Sequence, residues 1–267
     1  MGDPNDAQLT RALSAFAFEG KASDVVRTTA GHIHHTYLVT AESGAQKRRF
    51  TLQRINKYVF TSPQRVMENI SAVTDYLRAQ LAALGDDPSR GTINIVKTHN
   101  GKSFFLDSDG EYWRLYSYIE NTFTLQRAQN PRELFEAAHA FGRFQLMLCD
   151  YPAKTLHETI PHFHDPKSRM QQLKAALAAD EYSRSTDVAH WLSVINAHSA
   201  LLEKGEYFAG GALPLRVTHN DTKLNNVLLD DKTGRAVCVI DLDTIMPGLS
   251  IYDFGDGVRC GASSAEE

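Results

Sequence analysis

Cysteine, an excess of positive charge and long apolar runs are what this sequence lacks. Its 3 cysteines, Cys149, Cys238 and Cys260, show no paired spacing. No disulfide framework is implied, and a reducing cytoplasm fits. Two of them lie in apolar or helical surroundings and read as small core residues. Lysine and arginine total 28 against 32 acidic residues, a formal net charge of −4. That balance argues against nonspecific binding to nucleic acid or to an anionic membrane. No stretch approaches the length of a membrane span. Met1–Ala22 lacks a charged start followed by a sustained apolar run, so no secretory leader is expected. Internal repeats and low-complexity tracts are also absent. What remains is an ordinary globular composition, 42% hydrophobic and 22% charged, in 267 residues. That length allows one large or two modest domains.

The informative stretch is residues 217–243. Its skeleton is His219-x-Asp221-x-Lys223-x-x-Asn226, then a hairpin, then Asp241 at the end of an apolar strand. Leu215–Thr218 reads as the incoming strand and Val227–Leu229 as the outgoing one. Asp230-Asp231-Lys232-Thr233-Gly234 supplies turn chemistry. The return strand, Ala236–Ile240, delivers Asp241 back beside Asn226. One small hairpin thus converges two carboxylates and a carboxamide. Phosphoryl transfer needs that set of groups. A carboxylate must orient the accepting hydroxyl and take its proton, which suits Asp221. Oxygen donors must hold a magnesium ion against the phosphates, which suits Asn226 and Asp241. Lys223 is placed to neutralise charge on the transferring group.

The segment resembles the catalytic loop and metal-binding strand of the aminoglycoside phosphotransferase/choline kinase family, small-molecule relatives of protein kinases. Within it, residues 217–259 are most similar to the bacterial N-acetylhexosamine 1-kinases, with weaker echoes at 31–38, 50–55 and 159–170. The resemblance implies an α+β, two-lobed, protein-kinase-like fold. Residues 1–119 would form a nucleotide-binding lobe, a five-stranded antiparallel sheet with a helix. Residues 120–267 would form a mainly helical lobe carrying the catalytic hairpin. ATP, Mg2+ and a small-molecule sugar are the implied cofactors and partner. Asp253-Phe254-Gly255 spells the metal motif of protein kinases, but Asp241 already occupies the end of the return strand. Asp253 follows the turn signal Pro247-Gly248 and is expected near a helix start, bracing the catalytic loop. Asp243 reads equally as a supporting contact or a solvated turn residue.

Earlier in the chain, residues 7–18 have helical periodicity through Leu9, Leu13, Phe16 and Ala17. Strands Asp24–Thr28 and Thr36–Ala41 flank Ala30-Gly31-His32-Ile33-His34-His35. This loop could cover phosphates with its backbone N–H groups, with Gly31, His34 and Thr36 as candidate nucleotide contacts. The histidines read as polar loop residues more readily than as a metal site. Arg48–Ile55 is the third strand, where protein kinases carry a phosphate-gripping lysine. Here there is none. Gln53 and Arg54 alternate to opposite faces, and either could take the role. Ser62-Pro63 opens a long helix with Val66, Ile70, Val73, Leu77, Leu81 and Leu84 on one face, stopped by Gly85. Glu68 on that helix would pair with the basic group of strand three or serve the helix dipole. Thr92–Lys97, Ser103–Leu106 and Glu111–Tyr118 read as further strands. Tyr118 and Ile119 begin the expected linker, whose backbone would meet adenine.

The second lobe should begin with the capping sequence Asn130-Pro131-Arg132-Glu133 and a core helix carrying Leu134, Phe135, Ala138, Phe141 and Leu148. Residues 151–166, with His157, His162, His164 and Asp165, form either a sugar-facing wall or a plain connector. Helices near 167–180 and 187–203 follow, the second burying Val188, Trp191, Leu192, Ile195 and Leu202. Gly261–Glu267 reads as a loop. Relatives continue past this point, so the chain reads either as a fragment, with part of the acceptor pocket outside residues 1–267, or as an unusually short member. An aminoglycoside, choline or homoserine acceptor, or a catalytically dead nucleotide-binding regulator, are the competing functions.

Overall fold

A computed structural model describes residues 4–28, 33–201, 211 and 213–263. Backbone contacts divide the chain into two compact units, Met1–Thr159 with Arg216–Glu267, and Ile160–Leu215.

In the larger unit, helix α1 (Asp6–Ala15) opens on a capping box: Asn5 accepts from the Gln8 N–H and the Gln8 side chain accepts from the Asn5 N–H. It ends before Phe16, three residues short of the expected 18, because Phe16 turns extended and bridges Thr98. Strands β1 (Lys21–Arg27), β2 (His35–Ser43) and β3 (Gln46–Arg54) pair antiparallel in sequence. Helix α2 (Pro63–Ala83) and the short α3 (Pro88–Gly91) intervene. Strands β4 (Ile95–Val96), β5 (Phe105–Leu106) and β6 (Tyr112–Ser117) complete the sheet. Its order is β1-β2-β3-β6-β4, with β5 also on β6, so it has six strands where five were expected.

The period-2 alternation of strands assigns its two faces. Tyr37, Val39, Ala41, Phe50, Leu52, Trp113 and Leu115 pack with Ala12, Leu13 and Phe16 of the α1 segment. Opposed pairs Thr51–Tyr116 and Gln53–Arg114 occupy the other face, where Arg114 and Tyr116 both reach Met67 of α2. Helix α2 buries Val66, Ile70, Val73, Leu77 and Leu81 as its periodicity predicts. Leu84 does not join them: it caps the helix and is exposed. Ser62 occupies the N-cap without a side-chain cap bond, and Pro63 alone marks the start. Buried Asn69 ties α2 to two distant segments. Its amide donates to the carbonyls of His157 (2.8 Å) and Ile245 (2.9 Å) and accepts from the His157 N–H (2.9 Å).

Strand β7 (Thr122–Phe123) leads to α4 (Pro131–Met147), whose Asn130 cap accepts from the Glu133 N–H. The helix buries Ala137, Phe144 and Leu148, while Phe135 and Ala138 face outward and Leu134, though partly exposed, lies against Gly261. At 100° per residue the stripe through 137, 141, 144 and 148 leaves 135 and 138 off the buried side. Helices α5 (Pro166–Ala179) and α6 (Ala189–Ala197) belong to the smaller unit. Neither buries a residue, so the expected buried face of Val188, Trp191 and Ile195 is exposed. Two short helices offer too little surface to cover those side chains. Leu202 lies outside the described residues.

Strand β8 (Arg216–Thr218) pairs with β11 (Met246–Gly248), and β9 (Val227–Asp230) with β10 (Ala236–Val239) and β7. Pro247-Gly248, expected as a turn, is therefore strand. Proline is tolerated in so short a sheet, and a Cβ on Gly248 would collide with Thr218. Helix α7 (Ser250–Ala262) ends the described chain and takes in Gly261, expected as loop. No helix among the described residues is long and apolar enough to cross a membrane.

Two outcomes follow from this packing. Asn69→Ala leaves the groups it bridged unpaired in the interior and should lower stability by about 2–3 kcal/mol, read from the urea midpoint. The Cys238 thiol is buried, and burial pushes it up to about 12. Native protein should therefore resist iodoacetamide at Cys238, with labelling there appearing only on unfolding.

Candidate active site

The catalytic loop is built around two non-glycine residues in the left-handed region, Asn220 (φ 66) and Asp241 (φ 59). Asn and Asp tolerate that conformation better than other side chains, at a cost of about 1 kcal/mol or more. Surrounding bonds hold both. The Asn220 amide donates to the Thr244 carbonyl (2.8 Å), and the Thr244 hydroxyl donates to the His219 carbonyl (2.6 Å). The Ile240 N–H donates to the Asn226 carbonyl at 2.9 Å, which brings Asp241 beside Asn226. Fully buried His219 accepts the Asp221 N–H on Nδ1 (3.3 Å). Its Nε2 therefore carries the proton and donates to the Ile240 carbonyl (3.0 Å). Phe141 and Phe144 meet its ring edge-on.

Helix α7 supplies two carboxylates from its first two turns. Asp253 accepts from the N–H groups of His219 and Asn220, both at 2.8 Å, and from Gln145. Asp256 accepts from the Thr222 N–H at 2.7 Å. The brace expected of Asp253 is thus present, and it is stronger than the sequence suggested.

Within this frame the Asn226 amide donates to the Asp221 carboxylate (3.1 Å) and carbonyl (2.9 Å). Both of its N–H groups are used there, which leaves Oδ1 as its donor atom toward a cation. Lys223 Nζ stands 3.2 Å from Asp221 Oδ1. Asp241 is exposed to solvent, although its carboxyl lies close to Asp243 and Asp221. Desolvation, then the neighbouring Asp243 charge, holds it above the usual carboxylate range, and Asp221 adds to the effect. Asp221, Lys223, Asn226 and Asp241 therefore come together. Carboxylates crowded in this way repel one another, and a divalent cation would relieve them.

Asp243 resolves in favour of a supporting role. It is buried and held by Arg114 through both guanidinium arms and by His34 Nε2 at 2.8 Å. Burial alone would push its carboxyl up, but the Arg114 charge and hydrogen bonds outweigh that and hold it well below the usual range. His34 Nδ1 accepts the Asn56 N–H at 3.0 Å and its ring stacks on Phe60. Both ring nitrogens are thereby engaged inside the protein, so His34 is a strut and not the phosphate or sugar contact expected of it.

Of the strand-three candidates, Gln53 faces the catalytic turn. It accepts from Arg114 Nε (2.9 Å) and donates to Thr36 Oγ1 (3.1 Å), which occupies Thr36 as well. Arg54 lies on the opposite face, across the ladder from Trp113. Glu68 does not pair with strand three. It points outward, where His157 Nε2 meets it at 2.8 Å and Gln64 donates to it. The Tyr118 N–H donates to the Arg49 carbonyl (3.0 Å) and the Ile119 carbonyl accepts from the Thr122 hydroxyl (2.8 Å). Gly31 lies outside the described residues. Arg114 is the residue that sequence reading missed. The available signal was an arginine between Trp113 and Leu115 inside an apolar strand.

The sheet, the helix against it and this loop define a kinase-like phosphotransferase. The phosphotransferase enzyme family (APH) matches residues 24–266, and the chain belongs to that family. Among solved structures, a microcompartment-associated aminopropanol kinase is 18% identical with a TM-score of 0.59, over 95% of this chain and 74% of its own. An aminoglycoside phosphotransferase from Alicyclobacillus acidocaldarius is 13% identical with a TM-score of 0.56, over 97% and 72%. A spectinomycin phosphotransferase, solved with ADP and spectinomycin, is 14% identical with a TM-score of 0.53, over 94% and 73%. At such identities the likeness is one of fold.

The brace has a direct readout. Asp253→Asn keeps one accepting oxygen where two serve the loop. Amide hydrogen exchange at His219 or Asn220 should accelerate about 10-fold, with a stability loss of about 1–3 kcal/mol.

Proposed function

We propose that the protein is an ATP- and magnesium-dependent kinase that phosphorylates the anomeric hydroxyl of an N-acetylhexosamine, giving the 1-phosphate. The observation that carries the chemistry is the bonded set Asp221–Asn226 with Asp241 alongside. The similarity of residues 217–259 to N-acetylhexosamine kinases supports the acceptor.

The donor set fits magnesium. Among the described residues no group of three or more His, Cys, Asp or Glu side chains could hold a metal. A hard ion that keeps several waters needs only one or two carboxylates plus phosphate oxygens. Asp241 and the Asn226 Oδ1 would hold it, and when bound it would neutralise phosphate charge. Asp221 orients the sugar hydroxyl and accepts its proton. The hydroxyl oxygen bonds to the γ-phosphorus as the bond to the bridging oxygen breaks, and ADP leaves. Lys223, 3.2 Å from Asp221, would neutralise charge on the transferring group. Residues 1–119 would take the nucleotide, with the backbone at Tyr118 and Ile119 beside adenine. Residues 120–267 would carry the acceptor.

A panel of N-acetylglucosamine, N-acetylgalactosamine, galactose, choline and kanamycin with ATP and Mg2+, read by ADP release, tests the acceptor. Turnover confined to the N-acetyl sugars is expected. Turnover on kanamycin or choline would move the acceptor class, and silence with retained ATP binding would favour a dead regulator. Asp221→Ala should lower kcat about 10³-fold with ATP affinity little changed. An unchanged kcat would remove Asp221 from the chemistry.

A further inference from the structure

Arg114 is buried, at 2% exposure, in the second-to-last position of the sheet order, one strand from its edge partner β4. A buried guanidinium must find a partner for its charge and for its N–H groups. Its Nη1 and Nη2 clamp the two oxygens of Asp243, the second at 2.7 Å. Nε donates to Gln53, which is itself held by Thr36, so the guanidinium plane is fixed from the sheet side. His34 adds a third donor to Asp243. Two carboxylate oxygens thus receive three bonds from β6 and from the loop before β2.

Asp243 sits in a one-turn 3-10 helix, Leu242–Thr244, directly after Asp241 in its left-handed conformation. A turn that short cannot rotate at one end without moving the other. We infer that Arg114 is a positioning residue for phosphoryl transfer: acting through Asp243, it anchors the turn that presents the Asp241 carboxylate beside Asn226 and Asp221. The inference rests on the phosphotransferase reading above. Stability alone accounts poorly for such a pair, since an apolar pair of similar volume is commonly as stable as a buried ion pair. What an apolar pair lacks is a fixed direction, and bidentate guanidinium–carboxylate geometry supplies one.

The test compares Arg114→Met, Arg114→Lys and the double variant Arg114→Met/Asp243→Leu with the wild type. Three quantities are read: melting temperature, kcat and KM, and Mn2+ affinity by EPR with a non-hydrolysable ATP analogue. Arg114→Met should lose about 10- to 100-fold in kcat and in Mn2+ affinity, with acceptor KM nearly unchanged. Arg114→Lys should recover part of both. The double variant should regain the melting temperature lost by the single one while kcat and Mn2+ affinity stay low.

Wild-type kcat and Mn2+ affinity in the double variant would overturn the inference and reduce the pair to packing. So would an Arg114→Met protein that loses only melting temperature. Either result leaves the proposed function standing if the wild type turns over its acceptor. A wild type inert on every acceptor and without Mn2+ affinity would instead overturn the function and the inference together.

Discussion

One backbone hydrogen bond, from the Ile240 N–H to the Asn226 carbonyl, closes the candidate site. It joins the residue that follows β10 to the last residue of the catalytic loop. Without it nothing in the return strand would hold Asp241 beside the amide it must work with. The bond survives because everything near it is already committed. His219 ties the loop to the Ile240 carbonyl, Thr244 and Asn220 lace the two segments, and α7 contributes Asp253 and Asp256 to three loop N–H groups. An irregular loop in the interior must have its backbone groups paired. Here the pairing and the positioning of the chemistry are the same set of contacts.

Charge distribution follows from that closure. Asp241 feels the charges of both Asp221 and Asp243, and of the three Asp243 is the one clamped by a buried cation, Arg114. Lys223 serves Asp221 from a half-buried side chain. The Arg114–Asp243 pair is buried behind the turn, and the Lys223–Asp221 pair lies on the catalytic loop. A phosphate tail with its cation would meet the catalytic loop, while the buried pair keeps its geometry.

The parts of this arrangement that sequence revealed are local. Spacing within residues 219–241 and the turn residues between the strands are enough to infer convergence, because a hairpin's ends must return together. The bracing role of Asp253 was also legible, from its place after the return strand. Contacts across long sequence distances were not. Arg114 reaches Asp243 over 129 residues, and nothing in either segment encodes the other. His34 looked like a ligand contact because it sits in a polar glycine loop, yet a neighbouring backbone N–H and a distant carboxylate consumed both nitrogens. Glu68 failed for a geometric reason: one position along a helix is 100°, and its neighbours Met67 and Asn69 face inward while it faces out. The same limit explains Phe135 and Trp191, which apolar character assigned to the interior and the available partner surface did not.

The account stands on the claim that Asp221, Asn226 and Asp241 form one cation-and-phosphate site. Crystals grown with Mn2+ and a non-hydrolysable ATP analogue measure it directly through the anomalous signal of the metal. The predicted result is a peak about 2.0–2.2 Å from the Asn226 Oδ1 and an Asp241 oxygen, with the terminal phosphate facing Asp221. A peak on other residues, or a triphosphate ordered away from Asp221, would contradict it.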